Sequence, residues 1–525
     1  MTPPDSPAAP ADPSTATPDT AAAPPPQAPA EGKHPRRKLA VAGLMIGMLL
    51  GALDNTIVAT VLTNISTDLG ATGNQAFLVS AYLIAQTIAM PVFGKLSDHF
   101  GRRFFFLLGL AVLIVGAILS GLAQNFSQLL LCRAVQGVGS GAFFPVANAI
   151  IGVMFGPRER ARLSGAFAAT FGIASVMGPL AGSAIVAVST WRWIFYINLP
   201  LGFVSLAVVW TAIGPLRGES KSKFDWPGAA LLGGWVAAFM LVLEETGTPG
   251  GWKWTDPSAI GLLGLGAALF GGFIWWEGKA QDPVLPLRFF KIRVVSATSA
   301  VSFLRGFVMI TTLTMVSILV GTLTLGSADA VRNTLYGLLL PMVVGASIGG
   351  VLLPRTGYRP MMAGGMIVMT LGAALMTLIS ITTPTFVGWE GGFPSGMFLF
   401  LMPVGFGIGM TFAPAVLVVQ YAVPRKDIGV STSMVQFLMN IGGAFGVSIL
   451  GSYQAARVAS MLPPGLAPNT PAYFAALPGP TAVAMHEVFL IMFAVAALAI
   501  VPALWVKGHL PQNQPPSDGA PITAA

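Results

Sequence analysis

The chain of 525 residues is 54% hydrophobic and only 9% charged, with a mean hydropathy of +0.75. Soluble domains carry roughly 25% charged residues, and a water-soluble globule cannot hide this much apolar surface. The net charge of +8 points to nucleic acid only if the cations form a patch. One cysteine, Cys132, excludes intrachain disulfides and a thiolate cluster, and His34, His99, His486 and His509 show no ligand spacing, so neither metal nor cofactor is expected.

Residues 1–32 are mostly Pro, Ala, Ser, Thr and Asp, a composition that cannot bury enough surface to offset its ordering entropy, so a disordered tail is expected. The tail lacks the basic and apolar regions of a signal peptide, and the first apolar run, from Leu39, is expected to stay as an anchor. A span needs about 20 apolar residues. That criterion predicts helices near 39–61, 75–93, 104–122, 127–153, 162–187, 195–213, 227–243, 258–276, 295–321, 333–353, 361–381, 396–420, 430–450 and 486–506. The gap 451–485 holds Pro463, Pro464, Pro468, Pro471, Pro478 and Pro480 and reads as a long outer loop, and 508–525 as a second disordered tail.

Fourteen crossings put both termini on one side, and the cations test that count. On the tail side lie 22 Lys and Arg, on the opposite face only Arg192, Lys253, Arg332 and Arg457, and Arg133 and Arg305 fall inside spans. The split predicts cytoplasmic termini. It also removes the nucleic-acid reading, because the charges are dispersed over short loops at a membrane surface.

The segment GKLSDHFGRR, Gly94 to Arg103, joins the second and third spans, with Gly94 and Gly101 permitting a tight turn and Asp98 set among Lys95, Arg102 and Arg103. A worn copy, GVLLPRTGYRP, runs from Gly350 to Pro360 with Pro354 in the place of Asp98, so the chain reads as internally duplicated, the usual build of secondary transporters. In the fifth span, Ala174, Gly178 and Gly182 recur every four residues and make one face small enough for close approach, while Pro179 favours a bend.

The first loop resembles the signature between helices two and three of the major facilitator superfamily. CRAVQGVGSG, Cys132 to Gly141, is similar to that superfamily's buried-Arg pattern, and Gly172 with GPLAG, Gly178 to Gly182, resembles its antiporter signature. WRWIFYINLP, Trp191 to Pro200, and LDNTIVATVL, Leu53 to Leu62, resemble the fourteen-helix drug:proton antiporters of the EmrB/QacA type, although Leu62 and Thr63 stand where that family often has proline. The resemblance spans roughly residues 39 to 507. It implies an all-α major facilitator fold with two six-helix bundles, 33–214 and 281–507, around two added helices, 215–280. It further implies a cytoplasmic latch at Asp98 and Arg102, protons as the coupling ion, and residence in a bacterial inner membrane. A monomer is expected to suffice, with a periplasmic adaptor if the cell is Gram-negative.

Asp54 lies within the first span, where a carboxylate costs about 2.5 to 3.5 kcal/mol. At 1.5 Å per residue it sits about 12 Å from the outer end, and Arg133 about 9 Å. The matched depths predict that the two face a shared cavity, where proton and substrate compete for the carboxylate. Arg305, inside the ninth span, has three open readings: snorkelling towards the cytoplasm, pairing with a carboxylate, or contacting an anionic substrate group. Tyr82, Gln86, Gln136, Asn148, Gln436 and Asn440 are polar within apolar spans, and either read a substrate or bridge helices.

No G-x-x-x-x-G-K-[ST] pattern is present, which points to an ion gradient over ATP. No loop clusters catalytic acids or metal ligands, so an enzyme is not expected. The leading reading is a proton-driven exporter of amphiphilic or drug-like small molecules. The alternatives are an exporter or flippase of a lipid, siderophore or anionic metabolite, and an uptake symporter.

Overall fold

Among its described residues the computed structural model contains fourteen helices long and apolar enough to cross a bilayer, numbered here in chain order. They are α1 Arg36–Val58, α2 Phe77–Phe100, α3 Arg102–Leu122, α4 Phe126–Met154, α5 Pro157–Val188, α6 Trp193–Ala212, α7 Trp226–Thr246, α8 Pro257–Glu277, α9 Arg293–Leu323, α10 Asp329–Thr356, α11 Tyr358–Met376, α12 Gly396–Ala422, α13 Ile428–Met461 and α14 Pro478–Trp505. The structure describes residues 35–59, 61–62, 65, 68–69, 76–216, 223–247, 251–324, 328–378, 389–390, 393–394, 396–463, 472, 476–506 and 508. Residues 1–34, the end of the C-terminal tail, the loop 217–222, Pro464, Pro468, Pro471 and the Pro179 side chain lie outside the described residues.

Helices form because these apolar runs have no other way to satisfy their backbone groups in hydrocarbon. Their ends follow local chemistry. Asn125 Oδ1 caps α4 by accepting from Gln128 N at 2.9 Å, and α5, α8 and α14 open on proline. Three boundaries differ most from the sequence expectation. Helix α2 runs through Gly94 and Asp98 to Phe100, so the expected turn is made at Gly101 and not at Gly94. Helix α13 runs 34 residues to Met461, about 51 Å at 1.5 Å per residue, and α14 begins at Pro478, so both ends of the expected 451–485 loop are helical. The reason is an added zipper: Arg457 donates to the Glu487 carboxylate at 2.8 to 3.1 Å and Tyr453 at 2.8 Å. The other departure from an all-helical chain, among the described residues, is a two-residue antiparallel ladder pairing Trp389–Glu390 with Phe393–Pro394.

The helix packing is itself duplicated. In the first six helices α1 packs on α5 and α6, α4 on α2 and α3, and α3 on α6; every pairing recurs among α9 to α14 with the helix number raised by eight. The two sets meet where α2 packs on α13 and α5 on α10, crossings that the same operation exchanges. The hairpin α7–α8 stands outside this pattern and docks through α7 on α2 and α13, one helix from each set. Leu131, Phe203, Trp210, Ile260, Trp275, Leu371 and Leu498 are exposed around the perimeter, which suits a lipid-facing surface.

Both crossings are made of glycine. A Cβ on Gly350 would lie 2.6 Å from the Ala161 carbonyl oxygen and 3.1 Å from Gly165 Cα, and one on Gly94 would lie 2.8 Å from the Gly429 carbonyl oxygen. All four glycines lie towards the end at which α1 begins and α14 finishes, and at that end the halves are in backbone contact.

Candidate functional site

Asp54 on α1 and Arg133 on α4 form a fully buried ion pair, with Nη1 2.7 Å from Oδ2. Two amides complete the carboxylate's shell: Gln136 Nε2 donates to Oδ1 at 3.1 Å and Asn198 Nδ2, from the start of α6, at 2.6 Å. Gln136 is oriented in turn, since its Oε1 accepts from Ser120 Oγ at 3.0 Å and Arg133 Nη1 at 3.1 Å. The Tyr82 ring lies 4.2 Å from the guanidinium, with its hydroxyl donating to the Gly51 carbonyl at 3.0 Å. Desolvating such a pair costs several kcal/mol, which the extra hydrogen bonds offset.

A cavity of about 110 Å³ lies between the two halves beside this cluster. Gly51, Ala52, Gln86, Ser140 and Phe143 line it from the first half, and Met309, Phe412, Gln436, Met439 and Asn440 from the second. The structure therefore brings Gln86, Gln436 and Asn440 to the wall, and corrects the expectation for the others. Asp54, Arg133, Tyr82 and Gln136 stand behind Gly51, Ala52 and Ser140, because the carboxylate is saturated by donors from within the first half. Asn148 lies away from the cavity, where its side chain donates to Phe144 and its carbonyl accepts from Gln420 Nε2 at 3.4 Å across to α12. Arg305 is buried just outside the wall. Its partners are Thr411 Oγ1 at 3.0 Å, Met439 Sδ at 3.4 Å and the Phe412 ring at 4.3 Å, with no carboxylate among the described residues.

The end near the termini carries the residues of the expected latch. Arg102 Nη2 donates to Asp98 Oδ1 at 3.0 Å, while Asp98 Oδ2 accepts Val430 N at 3.1 Å in the first turn of α13, a helix terminus that favours an anion. Gly101 takes φ 119° to turn the chain between α2 and α3, and Gly357 takes 82° at the matching place in the second copy. Arg103 reaches the Trp210 carbonyl at 2.8 Å. Sequence reasoning missed the remainder. Lys95 pairs with Asp282 and lies 3.8 Å from Asp427, His99 Nε2 is 2.8 Å from Asp282, and Arg288 Nη2 is 3.3 Å from Asp427. The segment after α8 thus clips the end of α2 to the start of α13. Burial pushes the Asp427 carboxyl up, against Lys95, Arg288 and Lys426, which pull it down.

The small residues of α5 meet two partners, on different faces of the helix. Ala174 O accepts from Thr56 Oγ1 at 3.2 Å and Gly178 packs on Thr56, both from α1, while Gly172 packs on Val343 of α10. Gly182 is buried.

The profile of the Major Facilitator Superfamily matches residues 44–447. The chain belongs to this superfamily. Its members are transporters and not enzymes, and the fourteen spans agree with the drug-efflux branch that the sequence resembles. The multidrug resistance protein 3 of Bacillus subtilis (strain 168) is 34% identical over 422 residues, 80% of each chain. The multidrug transporter protein MdtP of the same bacterium is 33% identical over 441 residues, 83% of this chain and 79% of its own. Two solved superfamily structures share the fold. The human organic anion transporter MFSD10 covers 88% of this chain and 100% of its own with a TM-score of 0.58 at 15% identity. The proton:xylose symporter XylE covers 88% and 94% with a TM-score of 0.60 at 13% identity.

Proposed function

We propose that the protein is a proton-coupled antiporter that exports amphiphilic, drug-like molecules across a bacterial inner membrane, with both termini in the cytoplasm. The observation that carries this reading is the buried Asp54–Arg133 pair beside a cavity walled by both halves. In the ionised state Arg133, Gln136 and Asn198 hold Asp54. A proton on Asp54 removes the charge that Arg133 and both amides satisfy, and the cluster must rearrange next to Gly51, Ala52 and Ser140 on the cavity wall. Substrate in the cavity and proton on the carboxylate are thereby made competitors. The latch at Asp98 closes the cytoplasmic end, so this arrangement suits release to the outside. The multidrug names of the two bacterial relatives support the cargo class.

The test is Asp54→Asn in proteoliposomes under an imposed proton gradient, with ethidium as the probe. Wild-type protein is expected to transport it uphill and the variant to bind without uphill transport; uphill export by the variant, or export driven by a sodium gradient alone, overturns the reading. Arg305 supports a second reading, in which the cargo carries an anionic group. Under it, Arg305→Ala weakens anionic ligands selectively, and equal losses for anionic and cationic ligands exclude it.

A further inference from the structure

A second cavity, of about 280 Å³, lies beside the central one between α2, α7, α9 and α13. Leu83, Ile310 and Asn440 line both, so the two are adjoining chambers divided by three side chains. Neither alone reaches the roughly 300–1,000 Å³ of a pocket for a drug-sized ligand, and joined they do. Their walls differ in charge. Among the described residues no Asp, Glu, Lys or Arg lines the central cavity, whereas the second is lined by one charged side chain, Glu244 of α7.

The apolar pattern of the sequence ends this span at 243 and leaves Glu244 just beyond it. The helix in fact continues through Thr246, because its last turn is anchored on α13: Thr246 Oγ1 lies 3.3 Å from Ser448 Oγ, and Ser452 Oγ donates to the Thr246 carbonyl at 2.7 Å. The extra turn puts Glu244, half-buried, on the chamber wall with Ser80 hydrogen-bonded to it. Met240, Leu243, Ala444 and Val447 supply apolar surface around it, and Thr87, Asn440 and Ser448 add polar atoms. A carboxylate kept in such a seat is costly and marks a ligand path.

The geometry points to a binding subsite for lipophilic cations, in which Glu244 is the counter-ion, the α7–α13 surface seats the apolar body, and the central cavity connects past Leu83, Ile310 and Asn440. The added hairpin thereby gains a role, since α7 supplies the charge that the two six-helix sets do not place on the cavity wall. The subsite's place on an exit route rests on the export reading above. Its binding does not, since binding needs no gradient.

Tetraphenylphosphonium and tetraphenylborate share a shape and differ in sign of charge, and their affinities for the purified full-length protein in detergent test the proposal. The expected result is tighter binding of the phosphonium, at least five-fold weakened by Glu244→Gln with borate binding undiminished, and unchanged by Glu245→Gln on the next residue. A smaller loss, equal losses for both probes, or the same loss in Glu245→Gln overturns it. In the wild-type protein, phosphonium and not borate is expected to protect Glu244 from dicyclohexylcarbodiimide, read by mass spectrometry; equal labelling with either probe overturns the proposal independently of any variant. Uphill export by Asp54→Asn, which overturns the proton-coupled reading, leaves these binding results standing, which separates the two claims.

Discussion

Asp98 in the last turn of α2 accepts the backbone N–H of Val430 at 3.1 Å across 332 positions of chain, so one carboxylate joins the two halves through the amide end of a helix. Charge-assisted hydrogen bonds of this kind contribute about 1.5–3 kcal/mol. Asp98→Ala is therefore expected to shift the population from the closed to the open form of this end by roughly 10-fold or more. Spin labels at Arg162 and Arg359, in a Cys132→Ser background, report it as a longer distance distribution. An unchanged distribution counts against the latch.

The glycine crossings seal the same end by a different force. A leucine at Gly350 places its Cβ 2.6 Å from the Ala161 carbonyl and cannot be absorbed by a side-chain shift, since the obstacle is backbone. Overpacking costs about 1–3 kcal/mol. Gly350→Leu is expected to fold with the end propped open and to lose transport; closed-form distances between the Arg162 and Arg359 labels contradict this.

Much of this is legible in the sequence because hydrocarbon leaves few choices. A helix is imposed by length alone, and two charges inside spans at like depth, Asp54 and Arg133, have few partners but each other. Facing is harder. A polar residue in an apolar span does not disclose which side it presents, so Asn148 reads like Gln436 although it joins α4 to α12. Gln136 is readable in principle, standing three residues from Arg133 and thus on the same helix face. Asn198 gives less signal, being at the start of α6 where an amide resembles an ordinary helix end. Lys95 and Asp282 are 187 positions apart with the α7–α8 hairpin between them, a pairing that no local pattern encodes.

Burial raises Asp427 above its ordinary value near 3.8, and the groups facing it are Lys95, Arg288, Lys426, Asp98 and Asp282. A carboxyl raised in the closed form favours that form when protonated. Its contribution is complete below the ordinary value and is lost as pH rises through the raised one. Asp427→Asn is expected to remove this part of the pH dependence of closure, measured as the Arg162–Arg359 distance against pH. A titration curve identical to wild type contradicts the assignment.

Asn198 offers the sharpest test of the acid cluster, because the amide is fully buried and donates to Asp54 at 2.6 Å while its own Oδ1 has no hydrogen-bond partner among the described residues. Asn198→Ala leaves Arg133 and Gln136 on the carboxylate and removes one charge-assisted bond, about 1.5–3 kcal/mol. Arg133→Ala strands the buried charge and costs about 3–5 kcal/mol. Asn198→Asp is nearly isosteric but sets a second carboxyl against the first, and two such groups in contact cannot both ionise. The expected order of thermal stability in detergent is therefore wild type, then Asn198→Ala, then Arg133→Ala, with Asn198→Asp losing proton-driven export although its volume is preserved. If Asn198→Asp exports as wild type does, Asp54 is not held as an anion by this shell. The coupling would then have to reside elsewhere in the chain.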